Sequence, residues 1–217
     1  MFTMVNDITL SYEKVGQGQP ILLLHGNGES RKIFDQVIPL LKKHNTVYAI
    51  DSRGHGESGT SENLDYLEMA KDIVAFIQKF QIEKPILYGF SDGGIIGLLI
   101  ASQYPQLLSK LIISGANVNP NGLKTAYLIW YRFLYTITRN TKYHLMLTQP
   151  NISEKELGRI TAETLVLAGS KDVIKESHTK YIAESIPNHT LRILPNETHY
   201  SYVVHSSKLY DIITSFL

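Results

Sequence analysis

Short apolar runs bounded by turn residues alternate with segments of helical period, and this alternation limits the fold of the chain more than any other feature. Residues 21–24, 46–50, 85–88, 110–113, 164–168 and 190–194 read as strands. Residues 5–15 read as a hairpin or edge-strand region, closed by Gly16-Gln17-Gly18-Gln19-Pro20. Between the strands, Ile33, Phe34, Val37, Ile38 and Leu41 recur at helical spacing, as do Leu67, Ala70, Ile73, Val74, Ile77 and Phe80. Further helices are expected over 93–104, 177–186 and 202–216. Strands joined by helix-length crossovers must run parallel, because each crossover returns the chain to the same edge. A run such as 21–24, apolar at every position, suits a strand covered on both faces. The expected α/β fold is a doubly wound, mostly parallel sheet with helices on both faces.

At 217 residues the chain is expected to form a single domain over 1–217. The alternation is interrupted over 116–163, a span too short for an independent domain and expected to form a short helical cap over the strand ends. Apolar residues at 43% and charged residues at 19% fit a globular chain and argue against disorder. Lys and Arg (21) nearly balance Asp and Glu (20), so the whole-chain charge gives no reason to expect nucleic acid or anionic lipid as a partner. No uninterrupted apolar stretch is long enough to span a membrane. The first twenty residues lack the apolar segment of a secretory signal, and there is no Cys, which excludes thiol catalysis, Cys-ligated zinc and disulfides. A soluble, cytoplasmic protein is the expectation.

Open parallel sheets bind ligands beyond the carboxyl ends of their strands. Those ends carry His25-Gly26-Asn27-Gly28, then Asp51 to Gly59, Gly89-Phe90-Ser91-Asp92-Gly93, Gly169-Ser170-Lys171-Asp172 and Asn196-Glu197-Thr198-His199. A serine, an aspartate and a histidine therefore stand at three strand ends along one edge. Gly89 to Gly93 matches G-x-S-x-G between an expected strand and an expected helix. That setting requires a sharp turn lifting a serine hydroxyl above the sheet, with small residues two positions to either side. The following helix directs its N–H groups toward developing negative charge.

In these motifs the sequence resembles the α/β-hydrolase family, from residue 21 to the last helix. The order Ser91, Asp172, His199 is the family's order of nucleophile, acid and base. The resemblance implies that Ser91 attacks an acyl carbonyl, His199 takes its proton and Asp172 orients the imidazole. It further implies that the backbone N–H groups of Asn27 and Asp92 form the oxyanion hole, and that no metal or organic cofactor is needed. The implied partner is a small-molecule acyl substrate: a small or medium ester, a thioester or a related compound. Carbon–carbon bond hydrolysis by the same triad, or a receptor-like protein with little turnover, remain as alternatives. Thr198 stands where the family often has Gly, and Glu163-Thr164 where it often has Pro before a strand.

Each candidate has a plainer reading. Ser91 fits an ordinary turn, and Asp172 fits a helix N-cap. His205, expected inside the last helix, competes with His199, while the other histidines fall away from the relevant strand ends or match structural positions. Arg53 and Glu57 read as a structural pair within their loop. The aromatic stripe Tyr127, Trp130, Tyr131, Phe133, Leu134 and Tyr135 suits a lid whose inner face both packs and lines an acyl pocket.

Overall fold

The computed structural model describes residues 1–61 and 64–217. Strands β1 (Phe2–Val5) and β2 (Ile8–Val15) form a hairpin, followed by β3 (Gln19–Leu24), the short helix α1 (Ile38–Leu41) and β4 (Asn45–Ile50). Next come α2 (Tyr66–Lys79), β5 (Ile86–Phe90), α3 (Asp92–Gln103) and β6 (Lys110–Ser114). Helices α4 (Thr125–Thr138), α5 (Thr141–Thr148) and α6 (Glu154–Leu157) precede β7 (Glu163–Lys171), α7 (Glu176–Glu184), β8 (His189–Thr198) and α8 (Lys208–Ile213). The sheet order is β1-β2-β4-β3-β5-β6-β7-β8. β1 and β2 join antiparallel, and every pairing from β4 to β8 is parallel.

The continuous apolar strands follow from burial on both faces. Leu22 and Leu24 pack with α2, α3 and α7 in one core, while Ile21 and Leu23 pack with Phe34, Val37 and α8 in the other. On α2 the buried face is Tyr66, Met69, Ala70, Ile73, Val74 and Ile77, and Leu67 instead lies exposed. Asp65 begins that helix by accepting from the N–H groups of Leu67 and Glu68 at 2.7 and 3.1 Å.

Two expected helices are shorter than their periodicity suggests. The stretch after Ser30 divides into a 3₁₀ turn, Arg31–Phe34, and α1. Pro39 has no N–H to donate to a carbonyl one turn back, so a continuous helix cannot pass through it. The last helix is confined to Lys208–Ile213. His205 takes a left-handed conformation (φ 49°), its N–H donates to the Ile33 carbonyl at 2.8 Å, and its ring lies 2.9 Å from Asp35. The expected Arg53–Glu57 pair does not form. Arg53 grips buried Asp72 through two hydrogen bonds of 2.6 and 2.8 Å, whereas Glu57 pairs with Arg31.

Candidate active site

Strand register assembles the site. Lys171 pairs with Thr198, so the next residues along β7 and β8, Asp172 and His199, emerge side by side. Gly169 makes this approach possible, since a Cβ there would overlap the backbone of Glu197. β5 ends at Phe90, and the Ser91 N–H donates to the Ser114 carbonyl at 2.7 Å. Ser91 itself is left-handed (φ 51°, ψ −114°) at the start of α3. This strained turn is tolerated because the positions two residues to either side, Gly89 and Gly93, carry no Cβ. A Cβ at Gly89 would overlap the Gly93 carbonyl, and one at Gly93 would overlap that of Leu24.

The three sequence-identified side chains meet. Ser91 Oγ lies 3.1 Å from His199 Nε2, and His199 Nδ1 lies 2.7 Å from Asp172 Oδ1. Asp172 Oδ1 also accepts from the Ile174 N–H at 2.9 Å. Burial opposes charge on Asp172, but the hydrogen bond from His199 and the backbone donors hold the carboxyl below its ordinary range. The imidazole packs against Phe90 and Tyr200, with ring centroids 4.9 and 4.8 Å away. His205, the rival base, is tied to Asp35 and takes no part in this contact.

Asn27 and Asp92 line the same cleft as Ser91, and among the described residues neither backbone N–H donates to a backbone carbonyl. Their side chains are engaged with each other: Asn27 Nδ2 donates to Asp92 Oδ2 at 2.9 Å, and the Tyr66 hydroxyl donates to Asp92 Oδ1 at 2.8 Å. Burial raises the Asp92 carboxyl to about 6 despite these donors. Behind the Asn27 loop, His25 Nε2 accepts from the Ser52 N–H at 3.0 Å and Nδ1 donates to the Gly26 carbonyl at 2.8 Å. The two bonds define one neutral tautomer and tie the loop to the 51–59 segment, and burial keeps the ring uncharged by lowering its pKa.

The cleft above Ser91 spans about 550 Å³, its open mouth included. Leu123, Met146, Val173 and Ile174 supply apolar wall, and Tyr131 reaches in from α4. The aromatic stripe therefore divides: Tyr131 faces the cleft, while Trp130 and Phe133 face outward.

Two features were not identified from sequence. Glu29 lines the cleft, and its Oε2 accepts from the Gly26 N–H at 3.0 Å. Burial lifts its carboxyl to about 7, with the Asp92 charge adding to the rise while the Gly26 N–H opposes it. Its position four residues after His25 was the available signal. Gly115 (φ 62°) follows β6, and a Cβ there would lie 2.6 Å from His199 Cε1 and 2.7 Å from Nδ1. A single Gly after an apolar strand does not reveal such an approach.

A serine on a strained strand-to-helix turn, in contact with an imidazole backed by a buried carboxylate, defines a hydrolase-fold protein equipped for nucleophilic chemistry. The family model for the alpha/beta hydrolase fold matches residues 19–142, and the chain belongs to that family. Serine hydrolase BPHL of Mus musculus is 27% identical over 98% of this chain and 84% of its own length. Among solved structures, a meta-cleavage product hydrolase from Pseudomonas fluorescens IP01 superposes with a TM-score of 0.82 at 19% identity, covering 100% of this chain and 96% of that one. The esterase RhEst1 from Rhodococcus sp. ECU1013 gives 0.79 at 20% identity, covering 99% and 96%. Among the described residues no helix is long and apolar enough to cross a membrane.

Proposed function

We propose that the protein is a serine hydrolase that cleaves a small or medium ester, thioester or related acyl substrate through an acyl-enzyme. The observation that carries this reading is the continuous contact from Ser91 Oγ to His199 and on to Asp172, at 3.1 and 2.7 Å. Ser91 Oγ bonds to the acyl carbon as its proton passes to His199 Nε2. The N–H groups of Asn27 and Asp92 hold the carbonyl oxygen as it becomes an oxyanion. Collapse breaks the bond to the leaving group, which takes the proton from His199. Water then gives a proton to His199 and its oxygen to the acyl carbon, and the acid departs as Ser91 regains its hydrogen. The 116–163 segment, within a single domain, acts as the cap that narrows the cleft.

Labelling with a fluorophosphonate, read by intact mass, tests this reading. One adduct on wild-type protein, mapped to Ser91 and absent from Ser91→Ala and His199→Ala, is expected. With an activated ester, both variants should lose about 10⁶ in kcat, and Asp172→Ala about 10⁴. An adduct that persists in Ser91→Ala overturns the assignment. A second reading, carbon–carbon bond hydrolysis by the same triad, draws on the likeness to the meta-cleavage product hydrolase. Turnover of a vinylogous diketone with no turnover of esters would favour it.

A further inference from the structure

Helix α4 carries two apolar stripes. Leu128 and Tyr131 turn inward and pack with Leu123, Val173 and Ile174. On the opposite side, at matching helical spacing, Ile129, Trp130, Phe133 and Ile137 are 62%, 52%, 52% and 64% exposed. The rings of Trp130 and Phe133 stack at 5.7 Å, forming a continuous aromatic surface. Four large apolar side chains on one helix exceed the scattered exposure of an ordinary surface.

Charge around this face is segregated. Residues 116–153 contain no Asp or Glu, but do contain Lys124, Arg132, Arg139 and Lys142. With a whole-chain net charge of +1, the remainder of the molecule is net negative. None of these four cations forms an ion pair with a described residue. Exposed Arg132 borders the outward stripe, and Arg139, at the end of α4, is exposed with its guanidinium over the Tyr135 ring at 5.6 Å, so an apolar face and positive charge without a carboxylate partner are presented on the same helix. A second copy of the chain is a poor occupant, because a two-fold contact of α4 on α4 would press cation against cation on a segment, 116–153, that carries no carboxylate.

We propose that the outer face of α4 docks on an anionic lipid surface. Ile129, Trp130, Phe133 and Ile137 enter the boundary between headgroups and acyl chains, and Arg132 and Arg139 meet lipid phosphates, the arrangement of an interfacial helix lying in the membrane plane. The near-neutral whole-chain charge conceals this surface because the acidic residues lie elsewhere.

Trp130 is the only tryptophan in the chain, so its emission reports on this face directly. Titration with vesicles of mixed phosphatidylcholine and phosphatidylglycerol should shift its emission to the blue and carry the protein into the vesicle pellet. Vesicles of phosphatidylcholine alone should do so far less, and added salt should weaken the effect. Arg132→Gln and Arg139→Gln should each weaken partitioning about five-fold. Phe133→Ser should weaken it at least about ten-fold, while hydrolysis of a soluble ester stays unchanged and certifies the fold. Ser91→Ala should dock like wild type, which separates this proposal from the catalytic one. Equal binding to both vesicle types, or no binding to either, overturns it. A concentration-dependent blue shift without vesicles, accompanied by a dimer in sedimentation, also overturns it and assigns the face to a second copy.

Discussion

The side-chain amide of Asn27 donates a 2.9 Å hydrogen bond to the carboxyl of Asp92, linking the two residues whose backbone N–H groups are proposed to hold the oxyanion. They come from different strand ends, β3 and β5, which the backbone joins through the Gly93 N–H and the His25 carbonyl at 3.1 Å, and this side-chain bond adds a second tie between the same two loops. Tyr66 completes the arrangement from α2, donating to the other Asp92 oxygen.

Tyr66→Phe therefore tests the link without touching a reacting group. Burial has raised the Asp92 carboxyl from 3.8 to about 6, and loss of the Tyr66 donor should raise it further. A raised carboxyl contributes stability at pH below its unfolded value, and that contribution is lost as pH rises through the folded value. The substitution should therefore cost about 1–3 kcal/mol at pH 8, where Asp92 is charged, and less near pH 4.5. Urea unfolding at the two pH values measures the difference. A cost independent of pH would mean that the Tyr66 hydroxyl does not favour the charged form.

Gly115→Ala tests the seat of the imidazole. The added methyl would fall 2.6 Å from His199 Cε1, at a backbone position with φ 62°. Strain at that φ costs on the order of 1–3 kcal/mol. The ring must also shift from the position in which it contacts both Asp172 and Ser91, so kcat should fall by about 10² or more while KM changes little. Steady-state kinetics with a soluble ester, beside a melting curve, separates the two effects. Normal kcat in a folded variant would show that the ring has room to spare.

Legibility in the sequence followed the range of each interaction. Burial on both faces leaves its mark in every residue of 21–24, and the nucleophile turn leaves glycines at fixed distance from Ser91, so strands and turn were readable. The order Ser91, Asp172, His199 was readable once the strand ends were placed. Helix ends were harder where a long-range bond replaced a local one, as when His205 leaves helical geometry to reach Ile33 and Asp35. The tie from Asn27 to Asp92 and the contact of Gly115 with His199 join segments far apart in sequence and have no local periodicity. The aromatic stripe misled for another reason. Six aromatic and aliphatic residues read as one face, but helical geometry places Tyr131 and Trp130 on different sides of α4.

Glu29→Gln should change the pH dependence of stability. The Glu29 carboxyl is raised from 4.5 to about 7, first by burial. Its folded state holds a proton that the unfolded chain releases, so its contribution falls as pH rises between those values. Gln keeps an oxygen for the Gly26 N–H and does not titrate. The variant should therefore gain stability relative to wild type as pH goes from 4.5 to 8. Urea midpoints for the two proteins across this range provide the check, and a constant difference would place the Glu29 titration outside it.

Arg53→Met should separate stability from chemistry. Arg53 donates to both oxygens of Asp72, whose side chain is almost fully buried, and reaches Asp7 at 3.0 Å. Asn6 Nδ2 donates to the same Asp72 carboxyl at 2.9 Å, so this cluster fastens the β1–β2 hairpin to α2 and to the 51–59 loop. Removing the guanidinium leaves a buried carboxylate with only the Asn6 donor, at a cost of about 3–5 kcal/mol. Replacing both partners, as in Arg53→Met with Asp72→Leu, should recover much of that loss because no charge remains to be desolvated. The cluster does not line the cleft, so kcat of whatever protein remains folded should stay close to wild type. Urea unfolding of the two variants, with kcat normalised to folded protein, supplies both readings. A double variant no more stable than the single one would assign the loss to packing of the Arg53 stem, and a fall in kcat would tie the 51–59 loop to the chemistry through His25 and Ser52.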